Sequence, residues 1–284
     1  MNQRIVVDTS TGGLDYYPFK HDISILRIKI YIGDKTYLDG KDLKADAFYE
    51  MLRNDDSLVP KTSTPSFGDV VEFFEDLYQK GYKEVFVTTI AAVLSGTHNL
   101  IQLASEEFKG KMKIKVFDTK TVCFSEGLFA LEADKMMKQG ASLDEIEEKL
   151  TLMRSRNTIF FAVDSLQYLV NNGRLSGAQA FVGKLLKIKP ILQVQESGHI
   201  VSIEKIRNIK NALSSIANKV KAYTNGRDFD AYILYTGNPK LREHFISTLK
   251  EELNLENLYE APSTPVVGAH IGPDVIGVGI FLKA

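Results

Sequence analysis

A single cysteine, Cys123, stands in a chain of 284 residues. That scarcity excludes an internal disulfide framework and suits a reducing compartment. Charge of one sign is also lacking: 35 basic against 36 acidic residues leave a net charge of −1. No global field therefore draws the chain to nucleic acid or an anionic membrane. No apolar run reaches the length of a membrane span. Met1–Asp8 holds only a three-residue apolar run before polar residues, so no secretory signal is read there. Repeats and low-complexity segments are missing too. With 44% hydrophobic and 25% charged residues, the chain reads as a cytoplasmic globular protein of a length that suits two domains.

Catalytic signatures are equally scarce. There is no phosphate loop, no G-x-G-x-x-G fingerprint, no H-E-x-x-H, no G-x-S-x-G elbow and no cysteine pair. The five histidines, His21, His98, His199, His244 and His270, show no metal-ligand spacing. Neither a metal nor a nucleotide cofactor is expected.

What is present is organised around Val85–Ala104. Val85–Ile90 is β-branched and apolar, as a buried strand requires, and Leu100, Ile101, Leu103, Ala104 and Phe108 mark one face of a helix. Ser95-Gly96-Thr97 joins them. Such a turn offers two hydroxyls, the unpaired amides of a helix start, and a glycine that admits a ligand to the backbone. A purely structural alternative has Thr97 cap its helix; both readings stand on the local sequence.

Similar turns recur. Arg4–Val7 is a strand ending in Asp8-Thr9-Ser10-Thr11, and Lys113–Phe117 is a strand ending in Asp118-Thr119. Ile23–Ile32 reads as one strand, followed by a turn at Tyr37–Gly40 and a helix through Leu43, Phe48 and Leu52. Ser66 and Asp69 form a capping box for a helix closed by Gly81, and Ser142 with Glu145 forms another. Pro65 keeps the preceding Thr62-Ser63-Thr64 outside that helix, as solvated loop groups or ligand donors. Helices are also expected over Ser125–Gln139 and Ser176–Leu186.

The alternation of strands and helices implies an α/β fold with a three-layer N-terminal domain and a mostly parallel sheet. From Thr158 the texture changes. A hairpin signal at Glu196-Ser197-Gly198 among helices points to a second α/β domain with a mixed sheet. The expected domains are residues 1–158 and 159–284.

His98 reads as structural. His270 sits among glycines in an apolar run, either bonded in the core or aimed at a cavity. Arg174 after Gly173 and Arg207 after a strand, with Lys187, Lys189, Lys205 and Lys210, give the second domain positive charge at element ends. Such charge suits an anionic ligand or acidic partner.

Seven stretches then carry a resemblance. They are D-T-S at Asp8–Ser10, Y-L-D-G at Tyr37–Gly40, T-S-T-P-S at Thr62–Ser66 and L-S-G-T at Leu94–Thr97. Y-L-V-N-N-G-R-L-S at Tyr168–Ser176, L-L-K-I-K-P-I-L at Leu185–Leu192 and G-A-H-I-G-P at Gly268–Pro273 follow. In this order the chain resembles, end to end, the DegV family of bacterial fatty-acid-binding proteins, which includes the FakB subunits of a fatty acid kinase system. The resemblance implies two α/β domains with a long-chain fatty acid buried inside. It puts the ligand's head group at Thr62, Ser63, Ser95, Gly96, Thr97 and His270. It associates Arg174 and Arg207 with acyl phosphate or with docking of the kinase. It also implies a non-enzymatic carrier, with ATP chemistry in the partner and transient membrane contact for lipid exchange. Three positions depart from the family pattern: Arg27 for proline, Phe129 for a small glycine, and His98 for tyrosine. Phe129 is expected to reshape the acyl pocket. The rival readings are an acyl hydrolase or transferase using Ser95 with His270, and a regulatory module that responds to lipid.

Overall fold

The computed structural model describes residues 3–55, 57–177, 189–255 and 258–283. Its first layer is a four-stranded parallel sheet of β1 (Arg4–Thr9), β2 (Ser24–Leu26), β6 (Glu84–Thr89) and β7 (Lys113–Asp118), in the order β2-β1-β6-β7. Alternation along the strands sorts their side chains between two helical layers. Ile5, Val7, Val85 and Val87 pack on α2 (Phe67–Gln79) and α3 (Thr97–Ser105). Val6, Phe86 and Phe117 pack on α4 (Phe124–Lys138) and α5 (Leu143–Arg154). Both expected capping boxes form, Ser66–Asp69 on α2 and Ser142–Glu145 on α5.

A six-stranded mixed sheet takes its strands from Asn157 onward. These are β8 (Asn157–Ala162), β9 (Lys189–Val194), β10 (Ile200–Ile206), β11 (Phe229–Tyr235), β12 (Tyr259–Pro262) and β13 (Ile276–Leu282), in the order β10-β9-β8-β13-β11-β12. One face, with Phe160, Ile191, Val278 and Ile280, is covered by α7 (Ile209–Thr224) and α8 (Pro239–Leu253). The other face, with Ile159, Phe161, Val194 and Leu234, belongs to the large core shared with the N-terminal half. The α/β class, the parallel sheet and the mixed sheet are as expected.

Two expectations need correction, and a run left unassigned takes a definite form. Ile23–Ile32 is not one strand: it divides into β2 and β3 (Lys29–Ile32), which lie in different sheets. The chain turns off at Arg27, whose guanidinium is ion-paired with Asp15 and donates to the Asp39 carbonyl at 2.8 Å. The Ile28 amide then donates to Ser10 Oγ instead of a strand (3.2 Å). Lys61–Ser63 is not a solvated loop but strand β5, paired antiparallel with β3. With β4 (Lys35–Leu38) these make a three-stranded sheet that the sequence reading lacks. The C-terminal apolar run around His270 is a short helix, α9 (Pro265–Ile271). Short α1 (Ala45–Asn54) and α6 (Gln167–Asn171) complete the elements used below. Of the helix expected over Ser176–Leu186, residues 178 onward lie outside the described residues.

Candidate functional site

The parallel strands end at one edge, where α/β folds commonly take ligands. Facing that edge is the inner face of the mixed sheet, and between them runs a narrow slot with about 790 Å3 of atom-free space, mouth included. Its walls are mostly aliphatic: Ile28 and Ile90 from the first half, Ile159, Val194 and Leu234 from the mixed sheet, Val267 from α9.

The polar lining is confined to hydroxyls, one imidazole, one guanidinium and the Cys123 thiol. Thr62, Ser63 and Thr64 come from β5 and its end, Ser95 from the turn before α3, Thr11 from the turn after β1. Among the described residues no carboxylate lines the slot. An anionic head group would therefore meet donors without like-charge repulsion.

The hydroxyls are oriented from behind. His270 Nε2 lies 2.7 Å from Thr62 Oγ1, while its buried Nδ1 has no partner among the described residues. An orphaned buried N–H is rarer than an orphaned lone pair, so the proton belongs on Nε2, donated to Thr62. The Thr62 hydroxyl proton is then free for a ligand. Burial, with the Arg174 charge adding to it, pushes the His270 imidazole down to about 4, so the ring is neutral near pH 7. At Ser95, Oγ accepts from the Thr97 amide (3.3 Å) and sits 2.9 Å from the Thr97 hydroxyl. The Thr97 amide takes one Ser95 lone pair, and when the Thr97 hydroxyl donates as well the Ser95 proton is left for the slot. Tyr31 Oη lies 3.2 Å from Ser63 Oγ on the third hydroxyl.

Thr97 does not cap α3: it is the first helical residue, fully buried, with no side-chain cap, and Gly96 precedes it at an ordinary helical φ of −69°. Neither Gly96 nor Thr97 lines the slot, so they stand behind Ser95. Arg174 does line it. Its Nη1 donates to the Asn172 carbonyl (2.6 Å) and its Nε to Leu94 (3.3 Å). No carboxylate among the described residues pairs with it, and Nη2 makes no hydrogen bond there. Arg207 is separate, exposed just beyond β10. Lys189, counted above as free charge, is paired with Asp164.

His98 bonds Thr89 Oγ1 through Nδ1 at 3.0 Å, a structural role, and burial lowers its pKa. Ser95 and His270 share no hydrogen bond; the imidazole is committed to Thr62. A histidine-activated serine needs that bond. Phe129 does not line the slot. It is fully buried behind the slot, packed on Phe117 and Phe281 with ring centroids 6.0 and 5.6 Å away.

Several functional positions went unread in the sequence. Thr11 and Cys123 line the slot. Behind Thr11 lies a buried acid pair, Asp8 and Glu126. Thr11 Oγ1 donates to Glu126 Oε2 (2.6 Å), Thr9 also bonds Glu126, and Thr88 donates to Asp8 Oδ1 (2.7 Å). Close backbone approach makes the pair possible: a methyl group on Gly127 would stand 2.5 Å from the Gly12 carbonyl. Desolvation holds Asp8 up at about 7 and Glu126 well above the usual carboxylate range. Buried Asp39 accepts the Val266 amide at the start of α9 (3.2 Å), and desolvation raises it likewise to about 7. The D-T-S turn and the Y-L-D-G stretch held Asp8 and Asp39, but nothing marked Glu126, and spacing does not reveal a partner over a hundred residues away.

Comparison with known proteins agrees with this architecture. The family model described as "Uncharacterised protein, DegV family" matches residues 2–283. A DegV domain-containing protein of Clostridium acetobutylicum is 32% identical over 284 residues, covering 100% of both chains. Protein DegV of Bacillus subtilis is 30% identical over 280 residues, 98% of each. Among solved structures, a fatty acid binding DegV family protein from Streptococcus agalactiae superposes with a TM-score of 0.89 at 30% identity, covering 99% of both chains. A stearic acid-binding protein from Eubacterium ventriosum gives 0.86 at 26% identity over 98% of each. The chain belongs to the DegV family.

Proposed function

We propose that this protein holds one long-chain fatty acid in the slot, presents its carboxylate to a separate kinase, and carries the resulting acyl phosphate. The observation that carries the reading is the composition of the slot among the described residues: aliphatic walls, oriented hydroxyls, a neutral imidazole, one guanidinium without a carboxylate partner there, and no acid. Relatives of the same fold that bind fatty acids support it. Residues 1–158 supply the hydroxyl turns and 159–284 close the slot. Thr62, Ser63 and Ser95 donate to the carboxylate, His270 orients Thr62, and Gly96 and Thr97 shape the Ser95 turn. Arg174 receives the added phosphate charge, because a guanidinium fork matches phosphate oxygens as a hydroxyl cannot. Exposed Arg207 serves docking of the kinase. No group on this chain is assigned to ATP.

Bound lipid and acyl-phosphate formation with a cognate kinase, measured on the same variants, test this division. Thr62→Ala and Ser95→Ala each lose about 1.5–3 kcal/mol of fatty-acid affinity, the worth of a hydrogen bond to a charged group. Arg174→Ala and Arg207→Ala keep the lipid and lose acyl-phosphate formation. Unchanged affinity without both hydroxyls would move the head group elsewhere. Normal turnover without both arginines would refute the hand-over role.

A further inference from the structure

Asp118 ends β7 outside the slot and makes no contact with a ligand position, yet its carboxylate is spent on the backbone of the Ser95 turn. Oδ1 accepts the Ala92 amide at 3.1 Å and the Lys120 amide at 2.9 Å. Two more bonds join the same segments: Ala91 N–H to the Thr121 carbonyl (2.8 Å) and Thr119 Oγ1 to the Thr89 carbonyl (2.7 Å). Ser95 then hangs on Ala91, since the Leu94 and Ser95 amides both donate to the Ala91 carbonyl, at 2.9 and 3.3 Å.

The segment doing the holding is itself strained. Lys120 has a φ of 51° and Cys123 a φ of 59° with ψ −155°, a region that side chains other than glycine rarely adopt. Such a backbone persists only where its surroundings over-determine it. Val122 and Cys123 at its far end line the slot. One stretch, Asp118–Cys123, thus forms part of the apolar wall and fixes the turn that carries Ser95.

We infer that Asp118 is a positioning residue for the head-group site, setting the Ser95 donor through the Ala92 amide. The inference rests on the fatty-acid reading above. A carboxylate suits the task because one oxygen accepts two backbone amides, which an alanine leaves unpaired. The effect is specific to the head group: loss of Asp118 releases the Ser95 turn while the aliphatic walls from the mixed sheet and α9 stay in place.

The test compares palmitate with hexadecane, a chain of matching length and no head group, on lipid-stripped protein. Asp118→Ala weakens palmitate about three- to tenfold, the factor of one hydrogen bond, and leaves hexadecane unchanged. Asp118→Asn keeps the acceptor oxygen and stays within about twofold of the parent protein. In a Ser95→Ala background, Asp118→Ala adds less than about twofold, because coupled positions are not additive. Should Asp118→Ala not fold, Asp118→Glu, which displaces the acceptor by one methylene, is read the same way. Equal losses for palmitate and hexadecane, an undiminished loss in the Ser95→Ala background, or no loss at all would overturn the assignment. If Ser95→Ala itself leaves palmitate binding unchanged, the head-group reading fails and this inference with it. If Ser95 matters and Asp118 does not, only the inference fails.

Discussion

Val267→Trp should empty the protein of lipid while leaving it folded. Val267 is buried on α9, two residues past Pro265, and faces the slot. An acyl chain gains about 0.8 kcal/mol for each methylene buried, or roughly 10 kcal/mol gross for a dozen. Association and ordering costs remove several of these. An indole that takes the room of four to six methylenes removes about 3–5 kcal/mol, hence two to three orders of magnitude in affinity. In a filled core the same change costs about 1–3 kcal/mol of stability through overpacking. Here Val267 lines the slot, so the lipid-free variant should stay folded, within about 1–3 kcal/mol of lipid-free parent protein. Full lipid retention by a folded Val267→Trp protein would show that the slot is not where the chain lies.

The second large effect is on pH. Asp8 and Asp39 are held up at about 7 by burial, and Glu126 is raised as well. Below the ordinary carboxylate range folded and unfolded chains both keep these protons, and the stabilising contribution is complete. As pH rises, the unfolded chain ionises first, and the contribution disappears through pH 7. Each proton held only by the folded state is worth about 1.4 kcal/mol per pH unit, on the order of 4 kcal/mol for a shift from 3.8 to about 7. His270 opposes this: its lowered value makes stability fall as pH drops from 6.5 towards about 4. Acidifying from pH 7 towards 4 should therefore stabilise the protein, because the one histidine offsets only one of the three raised acids, with little of the gain above pH 7. Asp39→Asn, which still accepts the Val266 amide, should flatten the slope measured by urea unfolding. An unchanged slope in Asp39→Asn and in Glu126→Gln would mean these acids ionise freely.

Much of the fold was legible because local signals agreed with it. The Ser66–Asp69 and Ser142–Glu145 boxes start their helices, and Arg4–Thr9 and Glu84–Thr89 are strands whose alternating residues face two helical layers. Where sequence and structure part, the decisive contacts are distant. Nothing in the strand-like alternation of Ile23–Ile32 announces that Arg27 will pair with Asp15 and carry the chain into another sheet. The run Pro265–Ile271 contains valines and a glycine, poor helix formers. It is helical with proline at its start and Asp39 on the Val266 amide. Of the site, Ser95 stood out in its turn and His270 among its glycines, whereas Thr62 and Arg174 were tied to the ligand through the family resemblance; the fold brings all four to one slot. The burial that makes His270 neutral, and the acids behind Thr11, depend on packing that no spacing rule encodes.

The central claim, that the slot holds a fatty acid, is tested most directly by weighing the protein. Native mass spectrometry of chain purified from a bacterial host, followed by extraction of the denatured protein, gives both stoichiometry and identity of any bound lipid. The account predicts one long-chain fatty acid for each chain, lost from Val267→Trp. Well-folded protein that carries no lipid in repeated preparations, and takes up none when fatty acid is added, would contradict it.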